Sequence, residues 1–385
     1  MLIYYTFVLA LTNMTSVRAA RVLLTLYAIN LDAEPFVVGV LAATFGVFPM
    51  LLSWLSGKMS DRFCSRWLLM FGAAGGAGGM LLPYFVPGLP TIFAAAAMSG
   101  LALTFCNVSL QNLVGLLSKP QDRPKNFSNY SLIGAATSFL GPLLAGFSID
   151  HSGYAATCLY LVALPLLPLA MLAIWGGALP GGSRDATSVG SIRNTLAQPR
   201  VWRVLAVSSL AQTGTDLFQF YMPVYAHAVG LSASAIGVVL AMFAVASFVV
   251  RLFLPQLIAR LGEEKVLAYT FCLSALSLML VPLSKDAAVL ALISFCFGLG
   301  TGCSTPITMM LMFSSSPGGR SGEAMGLRLT ADNITRIIGP VVFGSIASVF
   351  GLSFVFWINA AMLGSGGLFT GPTRDGRRGG RKDLE

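Results

Sequence analysis

Charged side chains are scarce in this chain: they make up 10% of its 385 residues, whereas a soluble protein carries about 25%. Hydrophobic residues make up 56%, and the mean hydropathy is +0.78. A water-soluble core cannot hide this much apolar surface. The composition therefore excludes an ordinary soluble protein and predicts that lipid is the solvent of this chain.

Residues for metal binding, disulfides and covalent chemistry are also few. Two histidines are too few for a histidine-based metal site. The six cysteines have no paired spacing, which is typical of small apolar residues in helices; they are Cys64, Cys106, Cys158, Cys272, Cys296 and Cys303. The sequence has no nucleotide-binding loop and no nucleophile–base pair. We therefore expect no enzyme, catalytic residue, metal or cofactor, and an ion gradient rather than ATP as the energy source.

Long apolar runs are what the chain has in abundance. About 20 mostly apolar residues cross a bilayer as a helix. The first run begins at the N-terminus, lacks a basic n-region and is too long for a signal peptide. The pattern predicts an all-α membrane protein with twelve transmembrane helices in two pseudo-symmetric six-helix bundles. The predicted spans are approximately 3–30, 35–56, 67–87, 90–117, 127–149, 154–176, 201–228, 233–258, 265–283, 287–314, 321–349 and 352–371.

A polar segment rich in Gly, Ser and Pro divides the chain into halves that repeat each other. Gly141-Pro142 and Gly339-Pro340 lie 198 residues apart, and the same offset relates Tyr27 to Tyr225 and Arg62 to Arg260. We expect an N-terminal bundle over 1–176, a cytoplasmic linker over 177–200, a C-terminal bundle over 201–372 and a disordered basic tail over 373–385.

The net charge of +9 follows from topology. Eighteen of the 24 basic residues fall in the short loops, linker and tail of one predicted side. This bias predicts a multi-pass protein of the inner (plasma) membrane with both termini cytoplasmic. The tail is expected to touch anionic lipid, and the basic residues do not form a nucleic-acid footprint. We expect a monomer.

The segment Gly57-Lys-Met-Ser-Asp61-Arg62-Phe-Cys-Ser-Arg66, between predicted spans two and three, resembles the Gly-x-x-x-Asp-Arg-x-x-x-Arg signature of the major facilitator superfamily. Cys64 stands where a small Gly is common, and the second copy keeps only Arg260. Span four lacks the arginine that often marks proton-coupled members and carries Asn107 and Gln111 instead. The resemblance implies a transporter fold and names no substrate.

The resemblance also implies a role for the signature residues. Asp61 would lie against the N-terminus of span eleven near Ser321, where the helix dipole favours a negative charge. Gly57 would permit close helix approach, and Arg62 and Arg66 would anchor the loop at the lipid surface. These four residues are therefore predicted to form a conformational latch; the alternative is a plain loop that only sets topology.

Seven charged residues fall inside predicted spans and away from the span ends, in the region where a charge costs about 2.5–3.5 kcal/mol at the bilayer centre. Arg18 and Asp216 occupy equivalent repeat positions, each about 15 residues or roughly 22 Å into its helix. We predict that they face each other across a central cavity. Arg21 lies one turn after Arg18, and Gln212 and Gln219 share a helix face with Asp216. The remaining four charges are Arg251, Arg328, Asp332 and Arg336.

Span eleven carries three of these charges at a four-residue spacing, which places Arg328, Asp332 and Arg336 on one stripe. Arg251, near the end of span eight, is expected to reach Asp332. The alternatives are an ion-pair ladder that only satisfies itself and, for Arg328, a side chain that snorkels to the cytoplasmic surface.

The seven charges comprise five arginines and two aspartates, which favours an anionic or zwitterionic small-molecule substrate. Asp216, with Asp332 second, is the predicted proton carrier. The predicted substrate-binding set is Arg18, Arg21, Asn107, Gln111, Gln212, Gln219, Tyr225 and Arg336, and the predicted gating set is Gly57, Asp61, Arg62, Arg66, Arg251 and Arg328.

Other functions remain open at this stage. The main alternative is a proton-driven multidrug exporter of lipophilic compounds, for which aromatic residues such as Phe218 and Phe243 are available. A membrane enzyme would need an acid–base cluster, and His151 and His227 lack obvious partners; a receptor without transport is the third class. In span ten, Gly298, Gly300 and Gly302 predict either a bend or close helix packing.

Overall fold

A computed structural model describes residues 2–33, 35–180, 199–316 and 320–369. Within these ranges all secondary-structure elements are helices. Much of the predicted linker and the whole basic tail lie outside the described residues. The described ranges contain twelve α-helices, in chain order: α1 Leu2–Asn30, α2 Pro35–Arg62, α3 Ser65–Phe85, α4 Leu89–Leu117, α5 Arg123–Trp175, α6 Pro199–Ala228, α7 Ala233–Leu261, α8 Glu263–Leu280, α9 Ala287–Gly302, α10 Ser304–Ser315, α11 Ser321–Phe350 and α12 Leu352–Phe369.

Three boundaries differ from the predicted spans. α2 continues to Arg62, so most of the signature segment is helix rather than loop. Spans five and six form one element, α5, which bends at Gly153 (φ 75°). Span ten is interrupted at Cys303, between α9 and α10.

The glycines of span ten serve close packing. A Cβ at Gly298 would overlap the Phe243 carbonyl oxygen, and one at Gly300 would overlap Ser274 Oγ. α9 therefore packs closely on α7 and α8, which was one of the two predicted readings, and the helix break lies beside Gly302 at Cys303.

The backbone supports the predicted repeat at two pairs of turns. Gly153 and Gly351 lie 198 residues apart and have φ values of 75° and 89°. Asp32 and Gly230, at the same offset, have φ values of 54° and 88°. Left-handed backbone is uncommon outside glycine. Its recurrence at equivalent positions indicates that the two halves are copies of one module.

Unit 1 comprises Met1–Trp202 and Met309–Ile334. Within it α1 packs on α4 and α5, α2 packs on α4, and α3 packs on α4 and α5. Leu23, Leu24, Phe45 and Ile92 are fully buried in its core. The stretch 309–334 belongs to the second half of the sequence, but its contacts place it with the first-half helices.

Unit 2 comprises Arg203–Thr308 and Thr335–Glu385. Within it α9 packs on α7 and α8, and α12 packs on α8. The rings of Phe218, Phe243 and Phe297 pack together, with 4.4 Å between the centroids of Phe218 and Phe297. These aromatic side chains are buried core. Their presence therefore gives no support to an aromatic drug-binding cavity.

Candidate functional site

Asp61 lies against the first turn of α11, the position that the signature implied. Its Oδ1 accepts a hydrogen bond from the Gly322 N–H at 2.7 Å, and its Oδ2 accepts one from the Glu323 N–H at 2.7 Å. These N–H groups have no intrahelical partner, and the helix dipole favours a negative charge there. We call this contact of Asp61 with Gly322 and Glu323 the Asp61 latch.

Burial raises the pKa of the Asp61 carboxyl to about 7, although the hydrogen bonds that it accepts act in the opposite direction. Asp61 lies beyond the predicted end of span two, at residue 56, and one residue before the end of α2.

Glycines let α2 and α11 touch at the Asp61 latch. A Cβ at Gly57 would overlap the Gly322 carbonyl oxygen, and a Cβ at Gly326 would overlap the Ser53 carbonyl oxygen. Close approach at Gly57 is therefore found as predicted. Without side chains at these positions, the backbones come near enough for the Asp61 carboxylate to reach the helix end.

Four further residues, none of them predicted from the sequence, hold the same helix crossing: Trp54, Ser60, Asn112 and Thr330. Asn112 Nδ2 donates to Ser60 Oγ at 3.2 Å, and Asn112 Oδ1 accepts from Ser321 Oγ at 2.6 Å. Trp54 Nε1 donates to Glu323 Oε1 at 3.2 Å, and the Trp54 backbone N–H donates to Thr330 Oγ1 at 3.1 Å. Hydrophobic periodicity carries no signal for such polar pairs between distant spans.

The two signature arginines have different surroundings. Arg62 is exposed, with its guanidinium 5.7 Å from the Phe63 ring centroid. Arg66 Nη2 donates to the Ala173 carbonyl at 3.0 Å, in the last turn of α5. A cation is favourable at a helix C-terminus, where carbonyls lack partners. Arg66 therefore braces α3 against α5, and its role in anchoring the segment at the lipid surface stays a prediction.

A buried polar network runs from α11 to α4 and α5 in unit 1. Arg328 Nη1 donates to Asp332 Oδ2 at 2.9 Å, and Arg328 Nη2 donates to Gln111 Oε1 at 2.9 Å. Asn107 Oδ1 accepts from Gln111 Nε2 at 2.9 Å and from the Tyr130 hydroxyl at 2.8 Å.

Arg328 is only 2% exposed, so the snorkelling alternative is wrong. The network brings together Asn107, Gln111, Arg328 and Asp332, four of the predicted site residues. It also adds Tyr130, which the sequence analysis missed.

The second ion pair lies in unit 2. Arg336 Nε contacts Asp216 Oδ2 at 3.2 Å, and Gln212 Nε2 donates to Asp216 Oδ1 at 2.9 Å. The predicted neighbourhood of Gln212 and Asp216 is therefore confirmed. Arg18 belongs to unit 1, so its pairing with Asp216 stays a prediction. The three charges predicted to form one stripe of ion pairs on α11 belong instead to two separate pairs, because Asp332 pairs with Arg328 and Arg336 pairs with Asp216.

The remaining predicted binding residues differ in exposure. Arg18, Arg21 and Gln219 have exposed side chains, and the Arg21 guanidinium lies 5.4 Å from the Phe45 ring centroid. Tyr225 is buried, and its hydroxyl donates to the Ser284 carbonyl at 3.2 Å. These contacts give Tyr225 a packing role.

Arg251, a predicted gating residue, lies in unit 2. Its Nε donates to the Gly302 carbonyl at 3.0 Å, at the break between α9 and α10. Asp332 belongs to unit 1, so the expected contact of Arg251 with Asp332 stays a prediction.

Comparison with known proteins gives relatives along nearly the whole chain. The chain is 25% identical to the multidrug resistance protein MdtG of Salmonella paratyphi A over 338 residues, 84% of this chain and 81% of that protein. It is 23% identical to the uncharacterized MFS-type transporter YuxJ of Bacillus subtilis over 334 residues, 82% of each chain.

Solved structures share the fold at lower identity. A bacterial homologue of the iron transporter ferroportin, in an outward-facing state, superposes with a TM-score of 0.77 at 17% identity, covering 96% of this chain and 98% of that one. The human organic anion transporter MFSD10 (TETRAN) gives 0.72 at 15% identity, covering 95% and 98%.

The family model of the Major Facilitator Superfamily matches residues 6–232 and 204–384. Members of this family are transporters rather than enzymes. Among the described residues, seven segments have the length and hydropathy to cross a membrane, and one of them, Pro120–Trp175, is 56 residues long. The chain therefore belongs to the major facilitator superfamily, as a multi-pass membrane transporter with twelve helices in two six-helix bundles.

Proposed function

We propose that this chain is a proton-coupled secondary transporter of small organic anions or zwitterions that works by alternating access. The observation that carries the proposal is the pairing of both intramembrane acids with arginine. Asp332 is bound by Arg328 at 2.9 Å, and Asp216 is bound by Arg336 at 3.2 Å. Among the described residues, each of these two intramembrane acids is paired with an arginine, so a lipophilic cation would have to compete with a guanidinium for either carboxylate.

The remaining intramembrane charges are positive. Arg18 and Arg21 have exposed side chains one turn apart on α1, and guanidinium groups bind carboxylate and phosphate through two donors. We therefore assign Arg18 and Arg21 to substrate binding.

Asp216 and Arg336 are the proposed coupling pair. Protonation of Asp216 removes the charge that holds Arg336, and the half-exposed guanidinium then becomes available to a substrate anion. Proton and substrate thus compete for one arginine, which links their movements without a covalent step. Gln212 stays hydrogen-bonded to either form of the carboxyl and keeps it oriented.

Multidrug export is the second candidate function, and it is favoured by the name of the relative MdtG, a multidrug resistance protein. The two candidates differ in the charge of the cargo. Binding to Arg18 and Arg21 favours acidic compounds, whereas export of lipophilic cations would be indifferent to both arginines.

A ligand screen separates these functions. The purified protein is tested by thermal shift against organic anions, zwitterions and lipophilic cations, because a ligand that binds the folded state raises the apparent stability. We expect anions to stabilise the wild type and Lys285→Gln, in which an exposed loop charge is removed, but not Arg18→Ala. Stabilisation by cations that survives in Arg18→Ala would replace the anion proposal with multidrug export.

Coupling is tested in proteoliposomes with any compound that the screen identifies. Asp216→Asn is expected to abolish transport driven by a proton gradient while keeping exchange of substrate for substrate. Gradient-driven transport at the wild-type rate in Asp216→Asn would refute the coupling role of this residue.

A further inference from the structure

Phe313, near the end of α10, occupies a buried position that involves no residue of the signature segment. Its side chain is 9% exposed and packs against α4 at Gly115. A Cβ built on Gly115 would overlap three carbons of the Phe313 ring. The ring can therefore occupy this position only because residue 115 has no side chain.

Two residues of α5 complete this position. The Arg123 guanidinium lies 4.9 Å from the Phe313 ring centroid, within the range of a cation–π contact. The buried Nε of Arg123 has no hydrogen-bond partner among the described residues. The Phe127 ring packs at 6.3 Å and 55° to the Phe313 ring. We call Gly115, Arg123 and Phe127 the Phe313 seat.

The Phe313 seat is separate from the Asp61 latch. Phe313 lies in α10 and contacts α4 and α5, whereas the Asp61 latch joins α2 to the first turn of α11. Both attach the stretch 309–334 to first-half helices in unit 1. The chemistry also differs, since the Asp61 latch consists of hydrogen bonds to a carboxylate and the Phe313 seat of ring packing under a cation.

We propose that Phe313 is a second gating residue. Its contact with the Phe313 seat keeps the transporter closed where α10 meets α4 and α5, and it does so independently of the Asp61 latch. The inference rests on the alternating access proposed above, because that cycle requires the stretch 309–334 to leave the first-half helices in the opposite state. Each transition then has to withdraw the Phe313 ring from between Gly115 and Arg123.

The test measures the contact itself and needs no substrate. Hydrogen–deuterium exchange is followed in the full-length protein in lipid nanodiscs, since amide exchange reports local opening. The variants are Phe313→Ala, which empties the seat, and Gly115→Ala, which fills it. Gly134→Ala is the matched control, because a Cβ at this helical glycine meets no atom within 4 Å.

We expect exchange in Ser304–Ser315 to rise about tenfold in Phe313→Ala and in Gly115→Ala, and to stay at the wild-type rate in Gly134→Ala. The double variant Gly115→Ala/Phe313→Ala should exchange no faster than Phe313→Ala, because the added methyl group has no ring left to displace. The amides of Gly322 and Glu323 should keep their protection in all of these variants.

Three results would overturn the proposal: unchanged exchange of α10 in Gly115→Ala, an equal rise in Gly134→Ala, or an equal opening of α10 in Asp61→Ala. The last result would mean that the two contacts form one unit. If the seat opens as expected and none of the screened compounds is transported, the proposed cargo fails while the Phe313 contact stands.

Discussion

Gln111 Oε1 accepts a hydrogen bond from Arg328 Nη2 at 2.9 Å, so a neutral amide on α4 supports a buried cation on α11. The other arm of the guanidinium is held by Asp332 at 2.9 Å. A buried ion pair offsets its desolvation only when further hydrogen bonds satisfy its remaining donors and acceptors. Gln111 supplies one of these bonds and joins the pair to Asn107 and Tyr130.

Replacing Gln111 with Leu should therefore destabilise the protein by about 1–3 kcal/mol, because a buried donor of Arg328 loses its acceptor. The measurement is thermal unfolding in detergent, with Gln219→Leu as the control, since Gln219 is exposed. Equal melting temperatures for Gln111→Leu and the wild type would show that the hydrogen bond adds nothing to stability.

The Arg328–Asp332 pair should show strong non-additivity. Arg328→Met alone and Asp332→Leu alone each leave one buried charge without its partner, and we expect each to cost about 3–5 kcal/mol. The double variant should be more stable than either single variant, because it buries no unpaired charge. A double-mutant cycle measures the coupling, and additive effects would contradict a direct interaction.

Asp61→Ala should weaken the Asp61 latch. Alanine has no acceptor oxygen, so the N–H groups of Gly322 and Glu323 lose the bonds that Asp61 accepts, at a cost of about 0.5–2 kcal/mol as for helix caps. Faster amide exchange at these two residues measures the effect. Asp122→Ala removes an exposed acid in the turn before α5 and should leave this exchange unchanged.

The Asp61 latch should also depend on pH. Burial raises the pKa of Asp61 in the latch to about 7, against about 3.9 in water, so the latched form binds its proton more tightly. Forming the latch then takes up protons between about pH 4 and pH 7, and falling pH favours it within this window. Above pH 7 the Asp61 carboxyl is ionised in both the latched and the open form, and forming the latch then costs the full free energy of burying its charge.

The check on this pH dependence is amide exchange at Gly322 and Glu323 between pH 4.5 and 8, corrected for the intrinsic exchange rate. Asp61→Asn lacks the titrating group, so its corrected exchange should not vary across the same range. If the protection of these amides in the wild type increased with pH, the pKa of Asp61 would be lowered in the latch rather than raised.

Much of the fold was predictable from the sequence because lipid allows few solutions for the backbone. Apolar runs of the length of a bilayer have to be helical, and the offset of 198 residues relates the glycine turns at Gly153 and Gly351. The position of Asp61 followed from the signature. These features depend on local composition and spacing, which a single sequence displays directly.

Contacts between distant spans were not predictable in the same way. Asn112 with Ser321, Trp54 with Glu323 and Phe313 in its seat depend on which helix faces meet. Small polar residues and glycines are common in all membrane helices, so their presence does not identify their partners.

The charges of α11 separate what the sequence determines from what only the tertiary structure determines. Asp332 lies four residues from both Arg328 and Arg336, which in a helix is about one turn. The sequence by itself therefore predicts a contact of Asp332 with either arginine equally well. Only the tertiary structure decides between them. Gln111 on α4 completes the bonding of Arg328 beside Asp332, whereas Asp216 on α6 takes Arg336. The physical reason is that buried charges pair where neighbouring helices complete their hydrogen bonds, and those neighbours are set by packing.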